Sequence, residues 1–279
     1  KRQIKMKIFV IAALLVAFVA ARNEMEFNNW RVQHGKVYGD KETYSKRFSI
    51  WMDNYKWAEE FNKQGKTFTV GMTPMADLTN EEYRSIYLMP TKTYTIGQVE
   101  EIAVNVPATK DWRDEGAVTP VKDQAQCGSC WSFSASGCVE GAHKLAGNDL
   151  ISLSEQQLMD CSWSYGNFAC NGGQMDAALQ YVKDNGEMLE SDYPYTMKSS
   201  FTCNFDATKV AAKLSSVVKV TSGSESDLAD KVNQAPASVG IDASHMSFQL
   251  YTKGVYHEAA CSTTQLDHGV LCVGWGSDN

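Results

Sequence analysis

Cys127-Gly-Ser-Cys130, inside the stretch QAQCGSCWSF from Gln124 to Phe133, sets two sulfurs at a C-x-x-C spacing. That spacing alone serves a redox dithiol, half of a tetrahedral metal site, or a disulfide sulfur beside a free nucleophile. For nucleophilic chemistry the reactive species is the thiolate, and a helix N-terminus and a neighbouring imidazolium both make it available near neutral pH. Trp131, Ala135, Cys138, Ala142 and Leu145 step at helical spacing and Gly147-Asn148 ends them, which puts Cys130 at a helix N-terminus. Five histidines are candidates for the imidazole. His34 lies far upstream, His143 falls on the polar face of the cysteine's own helix, and His245 and His257 sit in polar surroundings. His268, in LDHGVLCVGW, opens a strand of buried type with Gly269 leaving space beside it, and a strand there could present the ring to a cleft.

These residues need a scaffold. Upstream of the cysteines, Tyr44, Phe48, Trp51, Tyr55, Ala58 and Phe61 recur at three- and four-residue steps, an amphipathic helix with an aromatic face whose plain reading is ordinary packing. The segment FTVGMTPMADLTNEEYR then reads as a short strand, a turn at Thr73-Pro74, and a helix opening on a Thr79–Glu82 capping box. Met89 to Pro107 has no clear period and reads as an extended, protease-accessible linker. Past it, helices are expected at 154–159, with Ser152–Glu155 as its capping box, and at 175–184, stopped by Asn185-Gly186. Beyond Lys213 the runs SSVVKV, ASVGI, GVYH and HGVLCVGW read as short strands. The fold class is α+β, a helical half followed by a strand-rich half.

Of the 279 residues, 43% are hydrophobic and 21% charged, enough for a full-sized core. A net charge of −7, with no clustered basic surface, argues against a nucleic-acid partner. Lys1, Arg2, Lys5 and Lys7 precede an apolar run from Ile8 to Ala21, the architecture of a signal peptide with small residues at its end. A membrane span is the alternative, but the run is shorter than the roughly 20 residues a bilayer helix needs. Entry to the secretory route makes disulfides the default for the eight cysteines.

The chain resembles the papain-family, cathepsin L-like cysteine peptidase precursors. The resemblance rests on DWRDEGAVTPVKDQAQCGSCWSF, SLSEQQLMDC, CNGG, SDYPYT, FQLY and LDHGVLCVGWG in family order, with His268 at about the 130–150 residues downstream of Cys130 that the signature requires. It implies a two-lobed fold, a helical lobe plus a β-barrel-like lobe, behind a helical inhibitory prodomain. The implied organisation is a signal peptide at 1–21, a propeptide at 22–105, and a peptidase domain at 106–279 with its helical lobe about 112–218 and its strand-rich lobe from about 219. The implied activity is endopeptidase hydrolysis through an acyl-enzyme, with Cys130 as nucleophile, His268 as general base and acid, and Gln124 donating to the oxyanion with the Cys130 amide. Disulfides Cys127–Cys170 and Cys161–Cys203 are implied, leaving Cys130 free, with Cys138 and Cys272 as core thiols. Gly172 and Gly173 would pair with substrate backbone, and Met175, Gly240, Leu266 and Gly269 would line a pocket for a hydrophobic side chain two residues before the cut. No metal or cofactor is implied. The implied partners are protein and peptide substrates, the chain's own propeptide and cystatin-like inhibitors, for a monomer with no membrane anchor after signal cleavage, in lysosome-like vesicles or outside the cell.

Upstream, Arg47, Ile50, Trp51, Asn54 and Asn62 match the family's long propeptide helix, while Thr43 and Ala58 depart from it. Gly71-x-Thr73-x-Met75-x-Asp77 stands for the next motif, and loss of the Asp77 charge in acid is expected to release the plug. The family's histidine-orienting asparagine and a partner for Cys261 are expected beyond Asn279. The alternative reading is a non-catalytic paralogue or a propeptide-type inhibitor of related peptidases.

Overall fold

Aromatic side chains at helical spacing build the first of two units, residues 21–83 with 245–259; the second is 84–244 with the residues from 260 on. The structure, a computed structural model, describes residues 21–96 and 103–277. The expected signal peptide, to residue 20, and the linker residues 97–102 fall outside the described residues.

In the first unit, helix α1 (21–33) meets α2 (Lys41–Asn62), which starts where Asp40 Oδ1 accepts the Thr43 amide at 2.7 Å. Phe27, fully buried, has the rings of Trp30, Tyr38, Tyr44, Phe48 and Trp51 with centroids 5.2 to 6.1 Å away. Such burial stabilises by roughly 2–3 kcal/mol for a phenylalanine. Strand β1 (Phe68–Val70) pairs antiparallel with β7 (Tyr251–Gly254). Two buried amides, Asn54 and Gln249, satisfy the carbonyls of the turn between β1 and α3 (Asn80–Tyr87): Asn54 Nδ2 donates to Ala76 and Leu78, and Gln249 Nε2 to Met75 and Leu78. Asp77 is buried there, accepting from Tyr38 Oη at 2.8 Å with Lys36 Nζ 3.3 Å away.

The Thr79 capping box is formed, each partner donating its amide to the other's side chain at 3.1 Å. Glu82 also takes Arg47 at 2.6 Å and Lys46 at 3.0 Å. Burial opposes its ionisation, but these donors prevail and hold the carboxyl at about 2. A depressed carboxyl stabilises the fold above its ordinary range, and the contribution is lost as pH falls from about 4.5 towards about 2. Glu82→Gln should therefore unfold at lower urea than the natural chain at pH 6, with the gap closing by pH 2.

The second unit centres on α4 (Cys130–Leu145), whose Trp131, Ala135 and Val139 are buried with Leu158 of α5 (Glu155–Cys161) and Ala178 and Val182 of α6 (Met175–Asn185). Gly186, at φ 92°, ends α6. Strands come as two-stranded ladders: β2 (Lys92–Thr93) with β8 (Gln265–Leu266), β3 (Lys110–Asp111) with β10 (Gly274–Trp275), β4 (Glu187–Met188) with β5 (Val210–Ala212), and β6 (Ala237–Ile241) with β9 (His268–Cys272). Three local expectations are corrected. The cap of α5 is Ser154, accepting the Gln157 amide at 3.0 Å, because the Ser152 carbonyl is taken by the Glu190 amide and the Glu155 carboxylate turns inward to Lys122. The SSVVKV run, 215–220, forms no strand; Val218 is exposed and Lys219 reaches out to Asp176. GVYH is likewise not a strand, since β7 ends at Gly254, whose φ is 100°. Among the described residues, no helix is long and apolar enough to cross a membrane.

Candidate active site

The N-terminus of α4 and the start of β9 meet at Cys130. The sulfur is buried and accepts the Gly269 amide at 3.4 Å, and His268 is the residue before that amide. Strand β9 is held in place by β6, in register Ile241↔His268 and Gly240↔Gly269. Ser129 precedes the helix without capping it, its hydroxyl pairing with Tyr195 Oη at 2.7 Å; its carbonyl takes the Ser132 amide at 2.8 Å, while the Cys130 and Trp131 amides act on the sulfur. Burial pushes the Cys130 thiol up to about 11, outweighing the Gly269 and Trp131 amides, and pushes the His268 imidazole down to about 4. The pair is therefore neutral thiol and neutral imidazole in this state.

The other cysteine of the C-x-x-C is bonded: Cys127 joins Cys170, and Cys161 joins Cys203. The first bond lays CNGG against CGSC, where Gly128 and Asn171 form a parallel bridge. Cys138, Cys261 and Cys272 are outside these disulfides, and their thiols donate hydrogen bonds to the Pro236, Asp242 and Gly274 carbonyls respectively.

Gln124 Nε2 donates to the Cys127 carbonyl at 2.8 Å and to the Tyr87 carbonyl at 3.0 Å, and Tyr195 Oη donates to the Gln124 carbonyl at 2.7 Å. The Tyr87 carbonyl belongs to a segment that runs through the site. Its Leu88 is buried, the Met89 amide donates to the Asp267 carbonyl at 2.8 Å, and β2 then pairs with β8. The Tyr94 amide donates to Thr264, while Lys92 Nζ and Tyr94 Oη both donate to Gln174 Oε1 at 2.9 Å. Gly172, at φ 101°, lets this segment approach: a Cβ there would lie 2.8 Å from Pro90 Cδ. Gly173 has a different reason, since its Cβ would strike the Trp131 ring at 2.5 Å. A cavity of about 590 Å³ opens beside the segment, lined by Met175, Gly240 and Leu266 with Leu179, Leu214 and Ala237. Gly269 is not part of that lining; a Cβ there would come within 2.8 Å of Met175 Sδ and 3.3 Å of Trp131 Cα.

The sequence reading missed 87–94 as part of the site, taking 89 onward as linker. Pro90 and the absence of a period concealed it; the β-branched and aromatic run Thr91–Thr95 was the available signal. Gln174, next to CNGG, and Tyr195, in SDYPYT, were also passed over.

Residues 106–279 match the model for the papain family cysteine protease, and 27–83 match the cathepsin propeptide inhibitor domain (I29). "Cysteine proteinase 7" of Dictyostelium discoideum is 47% identical over 96% of this chain and 60% of its own length, and "Cysteine proteinase 6" of the same organism is 46% identical over 96% and 64%. The chain thus spans less than two thirds of those two relatives. It covers 86% of "Digestive cysteine proteinase 3" of Homarus americanus, at 42% identity over 97% of this chain. Among solved structures, digestive procathepsin L 3 of Tenebrio molitor larval midgut superposes with TM-score 0.84 at 39% identity, over 92% of this chain and 85% of that one. Recombinant stem bromelain precursor gives 0.82 at 31%, over 92% and 84%.

Proposed function

Because the chain belongs to the papain family of cysteine proteases, with a cathepsin propeptide inhibitor domain ahead of the peptidase match, we propose that it is a cysteine endopeptidase of the secretory route, made as a zymogen. The propeptide is residues 22–105 and the peptidase domain begins at 106. The observation that carries the reading is a main-chain carbonyl, that of Tyr87, resting on Gln124 Nε2 at 3.0 Å in the groove that holds Cys130. A peptide is already seated where a substrate would be, and its carbonyl meets the donor that would hold an oxyanion.

With the segment displaced, solvent returns and the pair can exist as thiolate and imidazolium. The Cys130 sulfur attacks the scissile carbonyl, and the oxyanion is held by Gln124 Nε2 and the Cys130 amide. His268 passes its proton to the departing amine, leaving an acyl-enzyme. It then takes a proton from the water that attacks the thioester; the C–S bond breaks, the Cys130 thiolate leaves, and the peptide's new carboxylic acid is released. Met175, Gly240 and Leu266 give the neighbouring cavity an apolar lining, so a hydrophobic or aromatic side chain two residues before the cut is the favoured one. Substrates are proteins and peptides, and the propeptide and cystatin-like inhibitors compete for the same groove. The enzyme acts as a monomer in lysosome-like vesicles or outside the cell.

The test is hydrolysis by the processed full-length gene product of peptide amides that differ only at that position. Phenylalanine or leucine should be cut at least tenfold faster than aspartate, and no cleavage of any of them would sink the reading. Gln124→Ala should lower kcat by about 10²–10³-fold with little change in KM, because its bond strengthens only as the oxyanion forms.

A further inference from the structure

Glu187 opens β4 with its side chain fully buried, facing α4, α5 and α6. Its Oε1 accepts from Ser136 Oγ at 2.6 Å, and its Oε2 has no hydrogen-bond donor. Two further carboxylates share the site, Glu140 from α4 and Glu155 from α5, each 1% exposed. The cation facing them is Lys122, whose Nζ lies 2.7 Å from Glu140 and 2.6 Å from Glu155 and also donates to the Leu153 carbonyl. Glu140 is satisfied as an anion, since the Leu153 amide and the Thr119 hydroxyl donate to it as well. Glu155 keeps one oxygen without a donor. The phenol of Tyr181, from α6, also feels the Glu187 charge, and Glu190, half-buried beyond β4, and Tyr195 lie nearer the other members of the cluster.

Three buried carboxyl groups therefore face one ammonium group. Ionising all of them would leave unmatched negative charge in a dry core, which proteins avoid by keeping the proton. We infer that Glu187 is held as the neutral acid in the folded lobe, with Glu155 as a second proton holder, so that the lobe is stable in acid and loses stability as pH rises through neutrality. The unmatched Oε2 atoms, the shared lysine and the Ser136 bond are the basis of this assignment. Burial, with like charge from the neighbouring glutamates, also raises Glu187 well above the carboxylate range and Glu155 to about 7.

The sign follows from linkage. A folded-state proton that the unfolded chain releases stabilises fully below about 4.5, and its effect is lost as pH rises through the folded value. Each retained proton multiplies the unfolded-to-folded ratio tenfold per pH unit in that interval. The cluster lies under the site: Glu140 is on the helix that begins at Cys130, and Lys122 is two residues from Gln124. Opening this core would release both, giving the protein a lifetime set by pH whether or not Cys130 is the nucleophile.

Urea unfolding of the full-length chain and of Glu187→Gln at pH 5.5 and 7.5 tests the inference. Glutamine keeps the shape and the contact with Ser136 but cannot ionise. The natural chain should gain about 100-fold more in unfolded-to-folded ratio across those two pH units than the variant does. Parallel pH dependence in the two proteins overturns it. If the variant does not fold, calorimetric proton counting on the natural chain decides: unfolding at pH 7 should release at least one proton, and no release or a net uptake overturns the inference.

Discussion

Cys130→Ala in the processed full-length gene product should lower kcat for peptide hydrolysis by at least ~10⁴-fold while leaving the fold intact. The expected loss is large because no other group can take over. Cys127 is tied to Cys170, while Cys138, Cys261 and Cys272 bond to carbonyls away from the start of α4. The structural cost is small: alanine removes one sulfur and one long bond from the Gly269 amide, and the helix amides around it are unchanged. Peptide assays with thermal unfolding as the control separate the two effects. Residual activity above one hundredth of the natural level would point to another nucleophile.

The second large effect concerns the unprocessed chain, whose Cys130 should react with iodoacetamide at pH 7 about 100-fold more slowly than an ordinary exposed cysteine. Its thiol is pushed up to about 11 by burial, so the thiolate fraction at pH 7 is on the order of 10⁻⁴. The labelling rate should rise about tenfold per pH unit towards that value. His268 does not help, because burial pushes its imidazole down to about 4 and it carries no charge at pH 5–7. The same depression makes the covered state sensitive to acid. Between about 6.5 and about 4 the ring stays neutral when buried but takes a proton once exposed, so falling pH favours uncovering it. Peptide-level mass spectrometry over pH 5–10 reads the rate, and a flat profile would show that the thiol is not held neutral.

The residues proposed for catalysis could be singled out from the sequence because their signals are local and chemical. A cysteine at a helix start, a histidine opening a strand before glycine, and punctuating glycines constrain few alternatives. The helices α2 and α4 followed from apolar stripes at helical spacing, and the end of α6 from Asn185-Gly186. The misreadings have a common cause, which is that strand identity depends on a partner edge a single stretch does not reveal. SSVVKV has the β-branched composition of a strand yet pairs with nothing among the described residues, whereas Lys92-Thr93, in a run that follows Pro90 and shows no period, becomes β2 because Gln265-Leu266 offers an edge. The shifted cap of α5 has a tertiary origin as well, since Lys122, more than thirty residues upstream, draws the Glu155 carboxylate inward. Glu187 carried no signal at all: a glutamate in NGEMLE reads as surface, and only packing turns it into a buried acid.

The most direct test of the central claim, a thiol peptidase kept latent by its own segment 84–94, is covalent labelling of the full-length gene product by an epoxysuccinyl peptide before and after cleavage within 97–105. Label located on Cys130 after cleavage and absent before it is the expected result. Equal labelling of both forms would contradict latency, and no label on Cys130 in the processed form would contradict the peptidase itself.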